Sequence, residues 1–88
     1  MSVSENFNAM VQRTNDSFIR DNIYMVGKGL LARALKTADP NSQDKILRNM
    51  TSEGAEEVKR LMDGLGNIST EDSEAAQKEI ISMAQGYV

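Results

Sequence analysis

Apolar side chains recur along this chain at intervals of three and four, in six short groups, and nowhere alternate with polar ones over a strand's length. The first group, Phe7, Met10 and Val11, follows Ser2 with Glu5 three residues on, the spacing of a capping box. Thr14, Asn15 and Asp16 interrupt it and supply short polar side chains that can cap a second helix, whose Phe18, Ile19, Asn22, Ile23 and Val26 share one face. On a helical wheel of about 100° per residue, Asp16, Arg20 and Tyr24 fall on the opposite face, which predicts an exposed stripe.

Gly27, Lys28 and Gly29 are expected to break the second helix, because glycines so close together permit left-handed backbone and weaken a helix. A third helix follows through Leu30, Leu31, Ala34 and Leu35. Asp39-Pro40 places a capping acid before a proline at the first helical position, and Ile46, Leu47 and Met50 form the buried edge of the fourth. Thr51 is expected both to end that helix and to cap the next, so the joint is short and two elements become one rigid unit. The fifth helix carries Ala55, Val58, Leu61 and Met62 opposite Glu56, Glu57 and Arg60, and Gly64 and Gly66 stop it. Ser69 or Thr70 opens the last, with Glu71, Asp72 and Glu74 near its positive end and Ala76, Ile80, Met83 and Ala84 facing inward. The expected fold class is all-α: about six short helices in a single domain over residues 1–88, packed as an irregular bundle or a small superhelical stack.

Length and composition narrow the chemistry. A chain of 88 residues supports one core but no deep, fully enclosed active site. With two Phe, two Tyr and no Trp, that core must be aliphatic and methionine-rich, and Met10, Met50, Met62 and Met83 all sit at core-facing spacing. The absence of Cys and His excludes disulfides and thiolate metal sites and removes both the commonest metal ligand and the usual proton shuttle. No metal, cofactor or catalytic residue is expected. Gly64 and Gly66 follow a helix and lack the lysine of a phosphate loop, and Ser52 and Ser73 have no His or Cys partner. The net charge of −3 is uneven: residues 1–52 hold seven bases to five acids, residues 53–88 eight acids to three bases. Such poles can steer a charged partner, but the bases are scattered and aromatics few, so nucleic acid is not an expected ligand. No secretory leader and no long apolar run occur, so the expected compartment is the cytoplasm, without direct membrane insertion.

Three stretches, "LLARALKTA", "DKILRNMTSEGAEEV" and "EAAQKEI", resemble in order and spacing the landmarks of the C-terminal domain of the flagellar motor switch protein family FliG. A weaker similarity from Phe7 to Val26 extends the resemblance over most of the chain. It implies an armadillo-like α-α superhelix at the rim of the bacterial flagellar rotor. The domain would serve motility and chemotaxis from the cytoplasm, peripheral to the inner membrane at the flagellar base. In that family charged side chains on one helix face the cytoplasmic part of the stator, MotA, or contact other switch proteins, and torque passes without any bond being broken. The corresponding helix here is residues 15–26, which makes Asp16, Arg20 and Tyr24 the partner-binding candidates.

The match there is incomplete. Where the family begins this helix with two acids, this chain has Asn15 and Asp16; the family's glutamine falls at Arg20 and its later arginine at Tyr24. The family's N-terminal and middle domains are missing too, so the chain is expected to be a fragment or, preferred slightly, a stand-alone diverged relative. Similar superhelical domains occur in the cytoplasmic parts of ion transporters, so the alternative is a scaffold or regulatory module for transport or signalling.

Overall fold

The computed structural model describes residues 2–85, and these hold six α-helices, one 3-10 turn and no strand. In chain order they are α1 (Val3–Arg13), α2 (Asp16–Asn22), the 3-10 turn Ile23–Met25, α3 (Lys28–Leu35), α4 (Pro40–Arg48), α5 (Ser52–Leu65) and α6 (Thr70–Gln85). The caps are where the residue types place them. Ser2 and Glu5 form the full capping box, Asn15 accepts from the Phe18 amide, Asp39 from Ser42, Thr51 from Gly54 and Ser69 from Asp72.

Helix α3 lies at the centre, against α5 on one side and α6 on the other, while α1 closes the layer by packing on α6 and α4. Its Leu31, Ala32, Ala34 and Leu35 are buried on nearly every side, as expected of a helix with neighbours all round. Phe7, Val11, Ile19, Ile23, Ile46, Val58 and Ile80 complete the core, and Met10, Met50 and Met62 pack at its margin. The extents are 33 × 32 × 20 Å. The short dimension holds two helix diameters of about 10–12 Å, so this is an irregular two-layer bundle and not an elongated stack.

Polar side chains fasten the end of α3. Ser73 donates to the Arg33 carbonyl at 2.6 Å, Gln77 to the Ala34 carbonyl at 2.9 Å and Gln43 to the Leu35 carbonyl at 2.7 Å. These carbonyls lie in the last turn, where the helix runs short of amides of its own, and side chains from two neighbouring helices, α6 and α4, supply donors. Lys36 reaches the Met62 carbonyl at 2.9 Å, and Lys28 pairs with Glu57 at 2.9 Å, so two bases of the positive half are spent on α5.

Several boundaries differ from the expectation. Gly27 is the N-cap of α3 with ordinary extended angles (φ −60°, ψ 140°), and Gly29 lies inside the helix. Thr51 caps α5, but α4 ends earlier, at Asn49, whose amide turns to Ile46 and Leu47; two residues share the joint assigned to one. The inward face of α5 runs through Gly54, Val58, Met62 and Leu65, leaving Leu61 exposed. On α6, Ser73 and Gln77 join Ala76 and Ile80 inside, with Met83 and Ala84 half-buried.

Gly64 also lies within α5, and Gly66 ends it, at φ 61° and ψ −137°. Only glycine adopts that backbone without strain, and a Cβ there would meet nothing within 4 Å, so the cost of a side chain is in the backbone alone. Gly66→Ala should destabilise by about 1–3 kcal/mol. Gly64→Ala, in open space on the same helix, should stabilise by about 0.5–1 kcal/mol. Urea denaturation of both variants measures the difference, and equal effects would show that Gly66 is not held at its positive φ.

Candidate functional site

The second helix begins with Asn15, whose side-chain oxygen accepts from the Phe18 amide and the Ser17 hydroxyl, each at 2.9 Å. Asp16 is its first residue, so its negative charge sits at the positive end of the helix. Only Ile19 is buried, with Phe18 and Asn22 half-buried beside it. After Asn22 the coil tightens: the Val26 amide bonds to the Ile23 carbonyl at 3.1 Å, and the expected helix to residue 26 finishes as a 3-10 turn. Tyr24 stands on that turn, 70% exposed, with Met25 next to it at 55%.

Asp16, Arg20 and Tyr24 therefore share the surface, but Asp16 and Arg20 do not form the i, i+4 ion pair that their spacing allows. Each instead reaches Asn49, at the end of α4. The Asn49 side-chain amide donates to Asp16 Oδ1 at 3.0 Å and to the Lys45 carbonyl at 2.8 Å, and its oxygen accepts from Arg20 Nη2 at 3.3 Å. Arg48 stands between Asp16 (3.4 Å) and Asp44 (3.2 Å), with its side chain and that of Asp16 about half exposed.

The carboxyl of Asp16 is consequently held below its ordinary pKa, first by the Asn49 hydrogen bond, with the positive charges of Arg48 and Lys45 adding and partial desolvation opposing. Glu57 is lowered in the same sense by its bond to Lys28 and that residue's charge. With both values depressed on folding, each contact contributes fully above the usual carboxylate range and is lost as pH falls through the lowered value.

Arg48 and Asn49 were not among the sequence candidates. Their one signal was membership of the "ILRNMT" landmark, where two polar residues follow an amphipathic helix; nothing local tells that they reach back to residue 16. Among the described residues no helix is long and apolar enough to cross a membrane.

The arrangement is that of a small all-helical module displaying one short helix on a braced scaffold. The chain belongs to the FliG C-terminal domain family, whose family model matches residues 5–88. It is 36% identical over 85 residues to the flagellar motor switch protein FliG of Vibrio cholerae serotype O1, covering 97% of this chain and 23% of that protein. To the same-named protein of Helicobacter pylori it is 38% identical over 71 residues, covering 80% and 21%. The chain thus spans less than a quarter of the length of these relatives. Family membership favours the motor-switch reading over the transporter or signalling alternative.

Proposed function

We propose that this chain is a non-enzymatic docking module of a flagellar rotor or switch, acting at the cytoplasmic face of the motor, with α2 and the turn after it as the surface that meets the stator protein MotA. The family match over residues 5–88 carries the reading. The displayed face supports it: Arg20 and Tyr24 point outward on the helix that corresponds to the family's stator-facing one, and neither is needed to fill the core. Contact on this face is part electrostatic and part aromatic, because Tyr24 stands where the family carries a charge. An exposed tyrosine offers a large, rigid contact at low entropic cost.

Binding of the purified chain to the cytoplasmic domain of a stator subunit tests the proposal. Tyr24→Ala combined with Arg20→Glu should weaken it roughly ten-fold or more, as expected for an aromatic anchor and a reversed charge. Tyr24 is 70% exposed and its side chain has no hydrogen-bond partner among the described residues, so its truncation leaves the fold in place. Unchanged affinity in the double variant would reject this surface.

A further inference from the structure

Helix α2 is the element least able to hold its own position. It has seven residues and one buried side chain, and it is tied to α1 by two residues and to α3 through the 3-10 turn. A coil that short does not persist without outside contacts. Ile19, and Ile23 at its C-cap, anchor its inner face to the core, while Asp16 and Arg20 lie away from those anchors and need a seat of their own.

We infer that Asn49 is the positioning residue of this helix, a buried amide that fixes how α2 sits on the end of α4 and hence where Arg20 and Tyr24 point. The partner-facing part of the inference rests on the function proposed above. Asn49 is 6% exposed. Its bond to the Lys45 carbonyl, one turn back on its own helix, sets the plane of the amide before α2 is considered. The remaining N–H and the oxygen are then aimed, and Asp16 and Arg20, one turn apart on α2, meet them. Two attachment points separated along a helix stop it from rolling; one ion pair does not. The reversed amide would set its oxygen against a carboxylate and a backbone carbonyl, so the chemistry permits this orientation alone. Arg48, at 3.4 Å from Asp16 and half exposed, adds attraction but little direction. The tight joint between α4 and α5 thus has a second use: its last helical turn is the seat of the presented helix.

The test is native-state amide exchange on the chain with Asn49→Asp, Asn49→Ser and the swapped pair Asp16→Asn/Asn49→Asp. Asn49→Asp places a second carboxylate against Asp16 and removes both donors. Exchange of the Ile19 to Ile23 amides should then quicken roughly ten-fold, while α3 and α6 amides keep their protection. Asn49→Ser, too short to reach Asp16 and adding no charge, should loosen α2 in the same selective way and replaces the first variant if that does not fold. The swap restores a donor opposite an acceptor and should recover most of the protection, which a residue important only for general stability would not do. The inference is overturned if α2 exchange in Asn49→Ser stays within about twofold of the parent, if the loosening is spread evenly over α3 and α6, or if the swap recovers nothing. Affinity for the stator's cytoplasmic domain, measured on the same proteins, should fall and return in parallel. A selectively loosened α2 with unaltered affinity would retire the stator reading and leave the clasp intact.

Discussion

Phe7→Ala is expected to cost about 3–5 kcal/mol, the largest effect of any single truncation in the domain. Phe7 is fully buried and joins α1 to the rest of the bundle. It also lines a small, partly open apolar pocket of about 80 Å³ with Met10, Leu31, Ile80 and Met83, so removal of the ring widens a gap already present in the packing. A domain of this kind is stable by about 5–15 kcal/mol in total, and the variant should therefore lie close to its unfolding threshold. Urea denaturation is the measurement, with Phe7→Leu as the companion; that substitution keeps most of the volume and should cost less than about 1.5 kcal/mol. A loss below about 1 kcal/mol for the alanine would mean that α1 contributes little to the core, against its complete burial.

What could be read from the chain divides along a physical line. Caps are decided within three residues, and Ser2 with Glu5, Asp39 and Thr51 were legible outright, Asn15 and Ser69 to within a neighbouring residue, because the side chain and the amide it bonds are close in sequence. The exposed positions of Arg20 and Tyr24 were legible for a related reason, since Phe18, Ile19, Ile23 and Val26 at helical spacing mark the side that faces in. The clasp was not. Asn49 and Asp16 are 33 residues apart, and nothing in the periodicity of either helix records the other. Spacing of four allows Asp16 and Arg20 to pair with each other along the helix, yet each reaches the buried Asn49 instead, a partner that local spacing cannot reveal. The inward face of α5 was misplaced because glycine carries no hydrophobic signal: Gly54 is buried, so the stripe rotates away from Leu61.

Gln77 shows the same blindness with the greatest consequence. Periodicity assigns the interior of α6 to Ala76, Ile80, Met83 and Ala84, and a glutamine among them is read as solvated by default. Yet Gln77 has no exposed surface, donates to the Ala34 carbonyl and to Thr37 Oγ1 (3.2 Å), and accepts from Ser4 Oγ (3.1 Å). The Ala38 amide, which would otherwise continue α3 to the Ala34 carbonyl, turns to Leu35 instead, so Gln77 is the donor that remains for that oxygen. Leucine has nearly the same volume and would be favoured by any rule that prefers apolar residues in cores. Gln77→Leu is nevertheless expected to destabilise by about 2–4 kcal/mol, because one or two stranded polar groups at about 1–3 kcal/mol each outweigh the gain from burying a leucine in place of an amide that was already satisfied. Thermal and urea unfolding of Gln77→Leu beside Gln77→Ala separate the two terms. If stranded oxygens dominate, both variants lose stability and leucine recovers only the part due to packing; a leucine variant more stable than the parent would mean that the α3 carbonyls find other donors, and that the "EAAQKEI" segment holds α6 in place by its apolar residues alone.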